Sequence, residues 1–333
     1  MHTYPSIDRV DTQAVTDALA EAAAVAGYAP SIHNTQPWHW KLATNTLDLY
    51  LDRGRVLHVT DSDARLATLS CGAALHHART ALAASGWATT VTRLPNAGRQ
   101  DHLAQIQVDG PAPVDAAAVR GIKTIALRHT DRRPGSGPPV GADDLQDIVA
   151  AVEGQGSWLQ LLNSDQMLDL ATAADHAQRA EAADPAWQAE LAYWTGGPRP
   201  SGAGIPDAAI PDESSQTTVP GRDFGHPGDL PISAAHDHAA VFAILHGASD
   251  EAPDWIRAGE ALSAGWLTAT ERGVSVSPLS APIEVIGTRD TLRRILAYLY
   301  HPYLVVRFGT VDPTVPDPPH APRLPADQTI DRQ

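Results

Sequence analysis

The sequence predicts an α+β fold in which two related units share one chain. Three observations carry that expectation. The order helix, loop, strand, helix, strand recurs in the first and second parts of the chain. Each part contains a long helical pattern with an apolar face, at 63–85 in the first and 254–271 in the second. With 333 residues, 43% of them hydrophobic, the chain is long for one domain and can bury a sizeable core. A Gly/Pro-rich break at Asp109–Pro113 divides the units into residues 1–112 and 113–333.

The elements follow in order. Residues 11–27 read as a helix: Val15, Ala18, Leu19, Ala22 and Ala26 recur at helical spacing, Asp11 or Thr12 can cap it, and Gly27 stops it. Trp38–Leu42 and Leu47–Leu51 read as paired strands across the Ala43–Thr46 turn. The helix at 63–85 ends at Gly86, and Ala88–Leu94 and His102–Val108 are two further strands. In the second unit, helices are expected at Asp115–Leu127 and Asp143–Val152, and a strand at Trp158–Leu162. A long helix at Asp165–Trp194 should break at Pro185. The apolar run 239–246 reads as a buried strand, Asp254–Glu271 as a helix and Tyr303–Phe308 as a closing strand. Gly196–Pro231 carries many Gly and Pro residues without periodicity, as lids and binding loops do. The Pro-rich tail after Asp312 should be extended.

Composition excludes several classes of function. A formal net charge of −15 and the lack of a basic stripe argue against nucleic-acid binding. A single cysteine, Cys71, allows no intramolecular disulfide. The N-terminal residues lack a basic segment followed by an apolar one, and no apolar run is long enough to span a bilayer, so a cytoplasmic setting without membrane partners is expected. His76-His77 and His236-Asp237-His238 do not match a metal-site motif, so no metal is expected. No Gly-x-Gly-x-x-Gly lies between a strand and a helix, so no Rossmann site is expected.

Two clusters can carry chemistry. The run Ala29-Pro30-Ser31-Ile32-His33-Asn34-Thr35-Gln36-Pro37-Trp38 is stiffened by two prolines and rich in groups that both donate and accept hydrogen bonds. It suits either the edge of a planar heterocycle or an ordinary turn entering a strand. His33 within it is open to a structural role or a ligand contact. The second cluster is Arg128-His129-Thr130-Asp131-Arg132-Arg133. It can grip a phosphate dianion through forked, charge-assisted hydrogen bonds, or it can be a solvated helix end. Trp255 and Trp266 sit on one helix face and read as core.

Together these clusters resemble the signatures of the nitroreductase superfamily of flavoproteins. The first is similar to its Pro-Ser-x-x-Asn-x-Gln-Pro-Trp motif, and Arg128, Thr130 and Arg132 are similar to its Arg-x-Ser/Thr-x-Arg phosphate motif. Further likeness lies in Trp255–Leu262, Leu267–Gly273, Ser277-Pro278-Leu279-Ser280 and Val306-Arg307-Phe308-Gly309, and the nearest branch is the Acg type. Members of this superfamily are typically homodimers with two identical FMN sites at the interface. Here the first unit has the Asn-x-Gln-Pro-Trp loop and only Arg9 in place of the phosphate motif. The second unit has the phosphate motif, but Glu153-Gly154-Gln155-Gly156-Ser157-Trp158 stands in place of the loop.

The resemblance therefore implies a nitroreductase-like fold in which two fused units form an intramolecular pseudo-dimer with one composite FMN per chain. Arg128, Thr130 and Arg132, aided by Arg307, would hold the phosphate. Ser31, Asn34, Gln36, Pro37 and Trp38 would line the isoalloxazine, and Pro278, Leu279 and Ser280 would approach its N5. The redox chemistry belongs to the flavin, so no catalytic side chain is nominated. The implied activity is hydride transfer from NAD(P)H through FMN to a nitroaromatic, quinone or similar small-molecule acceptor. The alternative is a flavin-holding protein with little turnover, its 196–231 loop folded over the cofactor as a lid. The chain would be a monomer or a weak homodimer.

Overall fold

The computed structural model describes residues 11–195, 202–213, 217–232, 239–312, 314 and 316–332. Arg9 and the His236–His238 run lie outside the described residues.

The first unit opens with α1 (Thr12–Ala26), capped by the Asp11 carboxylate, which accepts from the Gln13 N–H. β1 (Trp38–Leu42) and β2 (Thr46–Leu51) form an antiparallel pair with Trp40 opposite Leu49. Their period-2 pattern turns Trp38, Trp40, Leu47 and Leu49 into the core. α2 (Arg65–Ala84) follows, its first amides at Leu66 and Ala67 held by the Asp61 carboxylate. β3 (Trp87–Arg93) and β4 (His102–Pro111) complete the unit. β4 runs three residues past its expected end, into the predicted break. A register shift at Ala88/Thr89 accommodates Gly110, whose φ is +153°.

The second unit contains α3 (Ala116–Leu127), α4 (Ala142–Glu153), β5 (Trp158–Leu161), α5 (Ser164–Ala183) and α6 (Pro185–Thr195). The break between α5 and α6 falls where Pro185 predicts it. The largely irregular stretches 202–213 and 217–232 precede β6 (Val241–Gly247), α7 (Ala252–Glu271), β7 (Ser275–Leu279), α8 (Ala281–Glu284), α9 (Ile286–Ile295) and β8 (His301–Gly309). The tail is extended as far as a short 3-10 turn. It then forms β9 (Ile330–Arg332), which pairs parallel with β1 and covers an otherwise open sheet edge. β7, α8, α9 and β9 were not anticipated from sequence.

One sheet has the order β3-β4-β2-β1-β9 and the other β5-β6-β8-β7. Leaving β9 aside, the strands of the two sheets follow matching paths. The first sheet packs on α1 and α2, and the second is sandwiched between α4 with α7 and α5 with α9. The two sheets meet through α2 and α7, which cross at Gly72 and Gly259. A Cβ at Gly72 would stand 2.1 Å from the Ile256 carbonyl oxygen, and one at Gly259 would stand 1.8 Å from that of Leu69. The backbones therefore touch, and only glycine fits at either position. No described helix is long and apolar enough to cross a membrane.

Candidate functional site

A cavity of about 620 Å³ lies where loop 30–34, the start of α2, α7, the end of β7, segment 128–132, segments 205–213 and 220–227 and tail residues 319–323 converge. Its volume is within the roughly 300–1,000 Å³ of small-molecule and cofactor sites.

The 29–38 loop is tightly held. His33, Asn34 and Gln36 all have φ near +50°, in the left-handed region that side-chain-bearing residues occupy only when their surroundings fix them. Ser31 Oγ accepts from the Gln36 N–H at 3.0 Å, and Ser70 Oγ accepts from the Ile32 N–H at 3.1 Å. The outcome divides the predicted residues. Ser31, His33 and Asn34 line the cavity. Gln36, Pro37 and Trp38 do not: Gln36 is buried behind the wall, the Pro37 carbonyl accepts from Cys71 Sγ, and Trp38 is fully buried in the first core with its indole directed into the sheet packing. The alternation of β1 dictates this, since Trp38 shares its inward face with Trp40 and Leu42.

The amides of the signature bind protein rather than the cavity. Asn34 Nδ2 donates to the carbonyls of Gly204 and Pro322, both at 3.0 Å, and its Oδ1 accepts from Arg323 Nη1 at 2.7 Å. Gln36 Nε2 donates to the Gly202 carbonyl at 2.6 Å, and its Oε1 accepts from the Leu324 N–H at 2.9 Å. These two side chains clasp both the 202–204 strip and the tail. The fit is close: a Cβ at Gly202, where φ is +91°, would stand 2.2 Å from the Arg323 carbonyl oxygen.

The second cluster sorts by partner. Arg133 is neutralised by the buried Asp131 carboxylate through contacts of 3.0 and 2.8 Å. Arg128, Thr130 and Arg132 face the cavity instead. The Arg128 guanidinium lies 4.6 Å over the Trp266 ring and donates to the Tyr28 carbonyl, while its buried Nε has no partner. Arg132 donates to the Ala209 carbonyl and lies 5.6 Å over the Phe224 ring. Burial, with Arg323 nearby, pushes the Arg128 pKa down to about 9. Burial also pushes that of Arg132 down to about 10, although Asp131 opposes it. Arg307 donates to the Asp131 and Arg133 carbonyls and so fixes the backbone of this segment from β8. Pro278, Leu279 and Ser280 also line the cavity, at the end of β7.

Three participants were not identified in the sequence. Trp266 is core, as predicted, but also forms the wall that carries Arg128. Arg323 enters from the tail, where a lone arginine among prolines gives no signal. Arg222 enters from the 196–231 loop; its guanidinium lies between the buried carboxylates of Glu181 and Glu284, at 3.1 and 2.6 Å. Burial alone would lower the Arg222 pKa, but Glu284 and Glu181 outweigh it and hold the pKa above its ordinary value.

His33 is buried and lines the cavity with both ring nitrogens unpartnered. Burial, then Arg222 and Arg132, hold its pKa well below the usual histidine value, so it is neutral at pH 7. Unpartnered imidazole and guanidinium nitrogens call for a ligand with acceptors at its edge and negative charge at one end. FMN has both. Among the described residues no cluster of His, Cys, Asp or Glu is arranged to hold a metal.

No family model matches the chain. "Putative NAD(P)H nitroreductase acg" of Mycobacterium tuberculosis (strain ATCC 25618 / H37Rv) is 34% identical over 324 residues, 96% of this chain and 97% of that protein. "Putative NAD(P)H nitroreductase Rv3131" of the same strain is 36% identical over 301 residues, 87% of this chain and 85% of that protein. Among solved structures, the FMN and NADPH-dependent nitroreductase NfnB from sphigopyxis sp. strain HMH matches with a TM-score of 0.41 and 16% identity, covering 64% of this chain and 98% of that one.

Proposed function

The chain belongs to the Acg-type branch of the nitroreductase superfamily, and from that premise we propose that it binds one FMN in the described cavity and passes hydride from NAD(P)H to a nitroaromatic, quinone or similar acceptor. One observation carries the reading. Ser31, His33 and Asn34 of the first unit share a cavity with Arg128, Thr130 and Arg132 of the second. The matching strand orders and the Gly72–Gly259 crossing support reading the chain as an internal pseudo-dimer of units 1–112 and 113–333. The turn between α4 and β5 is only four residues long, against eleven between α1 and β1, which supports a single site.

In this reading Arg128, Thr130 and Arg132 hold the phosphate, and Arg307 fixes the backbone that presents them. Ser31 and neutral His33 offer hydrogen bonds to the heterocycle edge, with Asn34 shaping the wall. Gln36, Pro37 and Trp38 support that wall from behind. The backbone of Pro278, Leu279 and Ser280 borders the reacting face. FMN itself supplies the hydride-accepting centre. Reconstitution followed by anaerobic titration tests the proposal. A flavin spectrum at one equivalent per chain, bleached by NADH or NADPH, is expected. Two equivalents, or a flavin that neither nucleotide reduces, would overturn it.

A second reading is favoured by the loop itself. Ile205, Ala209–Glu213 and Pro220–Pro227 line the cavity, pinned by Arg222 to Glu181 and Glu284 and by the Arg132 bond to Ala209. Such a lid excludes a stacked nicotinamide and makes the protein a flavin holder. Replacing 205–228 by a short linker should then speed flavin reduction; an unchanged rate argues for the reductase.

A further inference from the structure

Arg128 and Arg323 lie nearly 200 residues apart, yet each donates through Nη2 to the Tyr28 carbonyl oxygen, both at 3.2 Å. One carbonyl thus draws two guanidiniums side by side at the cavity wall, and both line the cavity. Among the described residues no carboxylate comes within ion-pairing distance of either. The Nε of each is buried without a partner. His320, on which both guanidiniums act, stands edge to face with His129, 5.8 Å between ring centres, and the nearest carboxylate on that side is the exposed Asp317, 4.0 Å from His129 Nε2 rather than from either arginine. Two like charges brought together in a desolvated wall repel, and the arrangement persists only if other contacts hold it. Those contacts are visible: Trp266 under Arg128, and Asn34 Oδ1 at 2.7 Å from Arg323 Nη1.

We propose that Arg323, carried in by the C-terminal tail, joins Arg128 to form a two-guanidinium clamp for the phosphoryl group of the bound ligand. Nothing in the Arg-x-Thr-x-Arg signature points to residue 323. The role of Asn34 follows: by gripping Arg323 Oδ1-to-Nη1 and the Pro322 carbonyl through Nδ2, it aims the tail arginine. Ligand binding and tail docking are therefore coupled: a bound phosphoryl group reinforces a docking that Asn34 and Gln36 already hold. The clamp rests on the cavity being the phosphoryl-ligand site proposed above. The phosphoryl group can be that of FMN or the 2′-phosphate of NADPH.

The test is calorimetric titration of the full chain and of Arg323→Met with FMN, riboflavin, NADPH and NADH. Losing charge-assisted hydrogen bonds of roughly 1.5–3 kcal/mol corresponds to an affinity loss of about ten- to a hundredfold. That loss is expected for FMN with riboflavin unchanged, which assigns the clamp to the flavin. Loss for NADPH with NADH unchanged also supports the clamp and assigns it to the hydride donor. Equal loss for the phosphorylated and unphosphorylated member of each pair, or no loss, overturns it. Arg323→Gln keeps donors toward Asn34 and Tyr28 while removing the charge, so it decides the matter if the Met variant releases the tail. Hydrogen exchange at the Leu324 amide reports tail docking directly and should slow when ligand binds wild type. A chain that takes up no flavin yet binds inorganic pyrophosphate through Arg323 would refute the FMN reading and leave the clamp standing.

Discussion

Two arginine pairs among the described residues are completed differently. Arg79 and Arg93 close on Glu260, whose carboxylate is fully buried and bound at 2.6 and 2.7 Å. Among the described residues, Arg128 and Arg323 are met by carbonyls, an aromatic ring, an amide oxygen and the His129–His320 rings, with no carboxylate in ion-pairing distance. Both pairs lean on α7, the first through Glu260 and the second through Trp266 under Arg128. The first is a finished structural element, its charge balanced from within. The second is balanced only when an anion arrives from outside. In an acidic chain with a net charge of −15, arginines held without carboxylates give the cavity wall a local positive charge against the global field.

The largest expected effect breaks the closed pair. Glu260→Ala leaves two partly exposed guanidiniums without their shared counter-charge, which water can partly replace, and should lower folding stability by about 2–3 kcal/mol, measured by urea denaturation. A loss below about 1 kcal/mol would mean that the cluster is not desolvated. The open pair should behave in the opposite way. Arg128→Met relieves the repulsion with Arg323, and a cavity-wall cation replaced by a side chain of similar volume should leave ligand-free stability within about 1 kcal/mol of wild type. The same substitution should remove most of the stabilisation that FMN gives, which is about 2.7 kcal/mol when ligand stands at a hundred times Kd.

The smallest effect concerns pH. Burial pushes the pKa of His33, in the open region, and of His76, beside Arg79, downward, that of His76 to about 3. A histidine depressed on folding contributes stability that is present above its unfolded pKa of about 6.5 and is lost as pH falls below it, by up to about 1.4 kcal/mol per unit. Asp61 and Glu181, pushed up to about 7 by burial, act the other way over the same range, so the difference between variants is diagnostic rather than the whole curve. Between pH 7 and 5, His33→Gln should lose less stability than wild type. Bound FMN, by bringing negative charge near His33 but not His76, should narrow the gap between the two proteins. An identical gap with and without FMN would place His33 away from the ligand.

Much of this was legible in the sequence, for reasons that can be named. Helical spacing and caps located α1, α2, α4 and α7 to within a few residues, because each has a strong apolar face and a clear stop. β7 was missed because Ser275-Val276-Ser277-Pro278-Leu279 is short and contains a proline. α9 was missed because its sequence, Ile286–Ile295, is dominated by charged and small residues and buries mainly Thr288 and Leu292. Among the site residues, those that motif spacing brings to mind do not all reach the cavity. Trp38 points away from it, which the inward face of β1 could have told, and Gln36 is turned toward Gly202 and Leu324, partners that no local pattern announces. Arg323 was illegible because its position depends on β9 pairing with β1, a contact between chain ends that no local pattern announces.

That pairing also sets an order of assembly. Trp40 and Ile330 are partners separated by most of the chain, and the entropy of closing so long a loop must be met before the contact gives anything back. Local elements can form early, but the strand that draws Pro322–Leu324 onto Asn34 and Gln36 has no partner until the first sheet exists. Cavity closure should therefore be among the last steps of folding. A partly folded chain would lack a complete site, and ligand retention becomes a readout of whether the chain has finished folding.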